Sequence, residues 1–153
     1  MKSSDYDAWL QSVPTGITSD ALWKIEAYRL ALFIGDMTWQ DTKGINQDRQ
    51  AASLSNQLYR AVASISANIA EGYSRGSHKE KAHFYEYALG SARESRDWYY
   101  KVRFVLSDEV VEQRFSILNQ IIRLLLRMIP NQRACIAKEE TAAYLVESLT
   151  DTE

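Results

Sequence analysis

The sequence predicts an all-α fold, an antiparallel up-down-up-down four-helix bundle. Three observations lead there. The chain has 6 Gly and 2 Pro among 153 residues, and so few turn residues at this length mean a few long elements. Apolar residues recur three and four apart through four long stretches, the period of an amphipathic helix. The stretches are joined by short connections, which force consecutive helices to be antiparallel neighbours. A hydrophobic fraction of 46% with 25% charged residues is globular composition.

Residues 1–18 read as an N-terminal lead, polar except for Trp9, Leu10 and Val13, which could anchor it, and broken at Pro14-Thr15-Gly16. Ser19 or Asp20 is a suitable N-cap for a first helix from Ala21 to about Asp41. That helix carries two apolar stripes, one of Leu22, Ile25, Leu32 and Trp39, the other of Trp23, Ala27, Leu30, Ile34 and Met37, so it should face two neighbours. Thr42 to Asn46 would connect it to a second helix from Asp48 to Ser74. There Leu54, Leu58, Ala61, Ile65 and Ile69 form the stripe, and flanking Ala and Ser residues permit close approach of another backbone. Gly72 and Gly76 bracket its end, as C-cap chemistry favours.

Ser77-His78-Lys79-Glu80 has the pattern of a capping box and opens a third helix, from His78 to Leu106. Tyr85, Leu89, Ala92 and Tyr99 mark one face of it; Phe84, Tyr87, Ser91, Ser95, Trp98, Val102 and Val105 mark another. Ser107-Asp108 forms a turn and cap before the fourth helix, Glu109 to Ile129, which Pro130 should end. Val111, Leu118, Ile122, Leu125 and Ile129 make one stripe of this helix and Val110, Ile117, Ile121, Leu124 and Met128 a second. A lone bundle needs one stripe per helix, so the surplus suggests a partner subunit. The domain reading is therefore a lead over 1–18, a bundle over 19–130 and an acidic C-terminal tail over 131–153 with a possible short helix from Glu139 to Leu149.

Counts exclude several classes. The single cysteine, Cys135, cannot form an internal disulfide, which fits a reducing cytoplasm. The N-terminus has acids where a signal peptide needs an apolar run, and the apolar run from Ile117 to Ile129 is interrupted by Asn119, Gln120, Arg123 and Arg127, so no membrane partner is expected. A di-iron centre in a bundle needs two Glu-x-x-His motifs. This chain has one, Glu80 to His83, so no metal or other cofactor is expected. No phosphate-binding glycine loop, nucleophile elbow or nucleophile–base set occurs, so no catalytic residue, enzymatic activity or small-molecule substrate is read.

Three polar features remain. Asn68, Glu71 and Gly72 close the second helix, and Gly90, Ser91 and Glu94 lie in the middle of the third. A mid-helix glycine costs up to about 1 kcal/mol relative to alanine, so Gly90 should be offset by close helix contact. Asn68 or a nearby hydroxyl is expected to bond Glu94 across the two helices and fix their register; the alternative is a ligand pocket at that spot. The third feature is basic. Arg75, Lys79 and Lys81 cluster with His78 at the turn, and Lys79 and Lys81 occupy a first helical turn where acids are favoured, which hints at an anionic partner such as nucleic acid.

The run from Leu54 to Gly72, containing Gln57, Arg60, Ala61, Ser64, Ile65, Asn68, Ile69, Ala70 and Glu71, resembles a signature of the S23 family, proteins first noted in intervening sequences of bacterial 23S ribosomal RNA genes. Ala88 to Glu94 resembles its second signature, and Leu22 through Ala31 its opening helix. Ser66 stands where the family usually has proline. The resemblance implies a four-helix bundle assembled into a ring, typically a homopentamer, without enzymatic activity. One related group, the accessory variability proteins of diversity-generating retroelements, binds nucleic acid and a reverse transcriptase, and those proteins are strongly basic. The functional expectation is thus a bacterial scaffold or accessory protein, with a nucleic-acid-binding accessory factor as the alternative. The net charge of −2 conceals a gradient: −3 over residues 1–42, +5 over 43–137 and −4 over 138–153. The acidic tail could therefore mask the basic middle.

Overall fold

The computed structural model describes the backbone of residues 3–150 and the side chains of residues 5–139 and 141. Among the described residues six helices follow one another: α1 Ser3–Ser12, α2 Thr15–Thr18, α3 Glu26–Ile45, α4 Ala52–Ser74, α5 His78–Val102 and α6 Asp108–Thr150. Short 3₁₀ turns at Ala21–Lys24 and Arg103–Val105 precede α3 and follow α5. No strand occurs among the described residues. The four long helices pack in a cycle, α3 on α4, α4 on α5, α5 on α6 and α6 back on α3. Helices α5 and α6 run in opposite directions, since Arg96 meets Asn119 while Glu86 meets Arg133.

The core lies inside this cycle. Leu30 and Ile34 of α3, Leu58, Ile65 and Ile69 of α4, Ala88, Ala92 and Tyr99 of α5, and Ile117, Leu118, Ile121 and Leu125 of α6 are all buried. The second-helix stripe thus faces inward as its spacing requires, with Leu54 half-buried. On α5 the Tyr85, Leu89, Ala92 and Tyr99 face is the inner one. Both stripes of α6 contribute to the same core, Ile117 and Ile121 as fully as Leu118 and Leu125. The apolar surplus on this helix is mostly consumed within the chain, because α6 contacts both α5 and α3.

Helix boundaries show where tertiary contacts override local signals. Asp20 accepts a 2.7 Å hydrogen bond from the Leu22 amide and caps the 3₁₀ turn; extended backbone at Ile25 then separates that turn from α3. Helix α3 continues through the expected connection to Ile45, whose side chain is fully buried. Burying an isoleucine yields roughly 1.5–3 kcal/mol, enough to outweigh the cost of Gly44 in a helix. The turn that follows is organised by Asp48, whose Oδ1 accepts from the Gln50 and Ala51 amides, both at 2.8 Å, so α4 starts at Ala52. Helix α5 ends at Val102, and the 3₁₀ turn completes the span to Val105. Ser107 caps α6, its Oγ accepting from the Val110 amide at 3.3 Å.

Pro130 does not end the fourth helix; it lies inside α6. Proline removes the bond to the carbonyl of Leu126, four residues back, and crowds that carbonyl. Leu126 is 47% exposed, and an unpaired carbonyl in an exposed turn costs less than one in a core. The short helix expected at Glu139 to Leu149 is the distal part of this same helix; its side chains beyond Glu139, apart from Thr141, fall outside the described residues.

The N-terminal segment also folds back. Trp9 anchors α1: its ring lies 5.2 Å from that of Phe33 and 6.1 Å from that of Trp23, and its Nε1 donates to Asp36 Oδ2 at 2.8 Å. Tyr6 stacks on Trp9 and meets Phe33 edge-on.

Candidate functional site

The turn between α4 and α5 and the part of α6 beside it form the candidate site. Gly72, in the last turn of α4, makes that corner possible. A Cβ there would lie 2.9 Å from Tyr85 Cε1 and 3.0 Å from Phe84 Cβ. Its role is close approach between helices and not capping, because no described glycine has positive φ and α4 closes on Arg75 in extended backbone. Ser77 then caps α5: its Oγ accepts from the Glu80 amide at 3.2 Å and donates to Glu80 Oε2 at 2.9 Å. Half of the capping box forms, since the glutamate accepts from the serine hydroxyl and not from a backbone amide.

The basic residues at this corner fare differently. Arg75 pairs with Glu71 one turn earlier and lies over the Phe84 ring, 4.8 Å from its centroid. Its Nε is buried without a hydrogen-bond partner among the described residues. Arg75 is therefore committed to local structure. Lys79 is exposed and Lys81 half-buried. Lys79 borders a groove of 480 Å³ whose walls include His83, Phe84 and Glu86 of α5 and Arg133 and Ile136 of α6. His78 reaches α6 directly, with Nδ1 2.6 Å from Gln132 Oε1 and Nε2 3.5 Å from Glu139 Oε1. Arg133 pairs with Glu86. His83 is exposed, packed at 4.4 Å on Tyr87 and 4.0 Å from Glu86. The described residues hold no cluster of His, Cys, Asp or Glu suited to a metal ion.

The expected polar link between helices is not formed. Asn68 donates to the Ser64 carbonyl of its own helix at 2.8 Å, and Glu94 accepts from Trp98 Nε1 at 3.0 Å on an exposed surface. Both find partners one turn away, which orders them more cheaply than a bridge between helices would. Ser91 donates back to the Tyr87 carbonyl at 3.0 Å. Gly90 is exposed, and a Cβ there would meet nothing within 4 Å, so it mediates no close helix contact. Glu94 instead borders a shallow depression with Gln57, Tyr59, Arg60 and Ser64.

The polar link that spans helices lies elsewhere, among residues that sequence reasoning missed. Arg114 of α6 holds Asp41 of α3 in a two-pronged pair, Nε to Oδ2 at 2.8 Å and Nη2 to Oδ1 at 2.9 Å. Tyr99 of α5 donates to Asp41 Oδ2 at 2.8 Å, and its hydroxyl lies 2.7 Å from Thr38 Oγ1, which in turn reaches the Ile34 carbonyl at 2.7 Å. All four residues are buried. Burial foremost, and then the neighbouring Asp41 charge, push the Tyr99 phenol well above its ordinary range. Burial opposes the charge of Arg114, but its bonds to Asp41 more than compensate and raise its pKa. The network ties three helices together and has no open side for a reactant. Its signal in the sequence was one of place: Asp41 lies on the inner face of α3, two turns beyond Ile34 and one beyond Thr38.

No helix among the described residues is long and apolar enough to cross a membrane. No curated protein matches the chain. A crystal structure of a protein of unknown function from the S23 ribosomal protein family of Bacteroides thetaiotaomicron has the same fold, with a TM-score of 0.63 at 23% identity over 67% of this chain and 97% of that one. The profile of the 23S rRNA-intervening sequence proteins matches residues 24–129, from the entry into α3 to the residue before Pro130. The chain therefore belongs to the 23S rRNA-intervening sequence protein family.

Proposed function

We propose that this protein is a non-enzymatic scaffold or accessory protein, an antiparallel four-helix bundle that assembles with copies of itself into a ring and works in the bacterial cytoplasm. The observation that carries this reading is large apolar surface left uncovered on one chain. Trp39 is 56% exposed and meets Tyr59 of the next helix with ring centres 5.5 Å apart; Tyr100 is 54% and Phe104 80% exposed, with Arg103 lying over one face of each ring. Aromatic residues are enriched at protein–protein interfaces relative to the rest of the surface. The outward stripe of Leu32 and Trp39 on α3 now supplies the assembly argument that the α6 surplus no longer carries. Solution mass over a concentration series tests it: a ring gives a discrete multiple of 17.5 kDa, and a monomer at tens of micromolar overturns it. A homopentamer is the expected multiple.

A second reading, a nucleic-acid-binding accessory factor, is favoured by Lys79 and Lys81 in the first turn of α5, beside His78 and the groove. Binding to a structured RNA and to duplex DNA at two salt concentrations tests it, since phosphate contacts weaken steeply as salt rises. No binding at micromolar protein in low salt removes this reading.

A further inference from the structure

We propose that the N-terminal lead closes a ligand-binding pocket over Arg29, and that the pocket takes a small molecule carrying one carboxylate on an apolar body the size of a single ring. This site depends on neither the ring assembly nor nucleic acid, and the molecule is a bound ligand, not a substrate. The cavity has a volume of 520 Å³ and lies where α1, α2 and the first 3₁₀ turn meet α3; Tyr6, Leu10, Gln11, Thr18, Trp23 and Arg29 line it. Its size is that of a small-molecule site, and apolar and aromatic walls with a few polar groups and one charge are what such sites have. The cavity exists because the lead folds back, with Trp9 against Phe33 and Trp23 fixing α1 on α3. Of the six residues named, only Arg29 falls within the family-matched residues 24–129, so the pocket is something this chain adds to the matched bundle.

Arg29 sets the charge of the ligand. It is half-buried and is the one charged side chain among the described residues that line the cavity. Its Nη1 donates to the Trp23 carbonyl at 2.6 Å, which anchors the guanidinium from one side. Among the described residues no carboxylate pairs with it, and Nε and Nη2 have no hydrogen-bond partner. Nε and Nη2 form the same edge with which Arg114 holds both oxygens of Asp41. A planar carboxylate fits that edge with two parallel bonds. Arg114 finds its carboxylate within the chain, whereas Arg29 borders a cavity instead. The Tyr6 hydroxyl is buried without a hydrogen-bond partner, and Arg29 stands close enough to offset part of the rise that burial imposes on its phenol. An unpaired buried hydroxyl is costly, and a carboxylate on the guanidinium supplies an acceptor there. Glu26 and Asp7 also act on Tyr6, but neither lines the cavity; Asp20 caps the 3₁₀ turn and Asp36 accepts from Trp9. One cation with no acid in the wall balances a single negative charge, which favours a carboxylate over a phosphate carrying nearly two.

Benzoate is the probe, and benzamide is its neutral counterpart of the same shape. Titration of the full chain, followed by NMR at the Trp23 indole N–H and the Arg29 Nε–H, reads binding at the cavity itself. Benzoate should bind with a dissociation constant of about 1 mM, the strength open to a ligand of its size. Benzamide should bind roughly tenfold more weakly, because it lacks the charge that strengthens both bonds to the guanidinium. Arg29→Met should weaken benzoate roughly tenfold and leave benzamide unchanged, a split that a general loss of structure does not produce. Thr18→Trp fills the cavity from α2, which contributes no buried residue to the core. It should abolish binding of both compounds with the circular dichroism spectrum unchanged. Equal binding of the acid and the amide would overturn the proposal, as would benzoate binding untouched by Arg29→Met or by Thr18→Trp. So would the absence of a saturable shift up to roughly 20 mM benzoate.

Discussion

Replacing Asp41 with Asn keeps the shape of the buried centre and removes one charge. Asp41 and Arg114 side chains are only 8% and 7% exposed, and the guanidinium contacts both carboxylate oxygens. The variant leaves Arg114 charged in the core with a weakened partner, and Tyr99 without its ionic acceptor. Removing one partner of a buried ion pair typically costs about 3–5 kcal/mol; Asn retains a carbonyl oxygen, so the low end of that range applies. Arg114→Met should cost a similar amount, by stranding Asp41. Replacing both, Asp41→Asn with Arg114→Met, removes both buried charges along with their attraction, so the double variant should lie far closer to the natural protein than the two single effects added together. Urea unfolding followed by circular dichroism measures all three. Single losses below about 1 kcal/mol, or effects that simply add, would refute the claim that these residues act as one buried unit.

Alkaline pH should weaken the fold through Tyr99. Its phenol is raised above the ordinary value of 10.0, so the contribution is complete below about pH 10 and is lost as pH rises beyond it. Thermal unfolding from pH 8 to 11 should show this loss, and Tyr99→Phe should reduce its slope without abolishing it, because Tyr6, Tyr28 and Tyr85 are raised as well. The two conspicuous glycines should respond oppositely to alanine. Gly72→Ala forces a Cβ to within 3.0 Å of Phe84 Cβ and should cost about 1–3 kcal/mol; Gly90→Ala enters open space and should stabilise by up to about 1 kcal/mol, both read by chemical denaturation. Pro130→Ala restores a backbone bond in α6 and should slow hydrogen exchange at residues 131–139 relative to the natural protein. No change there would mean that the proline does not weaken the helix.

The sequence by itself determined much of this protein. Helical period placed the inward face of α4, and local chemistry placed the caps at Ser77 and Ser107, because these depend only on residues within one or two turns. The family signatures fell inside the matched region for the same reason: they are runs of adjacent residues. The tertiary structure decided what local signals left open. It carried α3 on to Ile45 for the sake of core burial, carried α6 through Pro130, and made Gly72 instead of Gly90 the glycine at which two helices meet closely. It also moved the buried polar link from Asn68 and Glu94 to Asp41, Tyr99 and Arg114. Tyr99 and Arg114 are separated by 58 and 73 positions from Asp41, and a bond between such distant residues exists only once packing has brought their helices side by side and excluded water from between them.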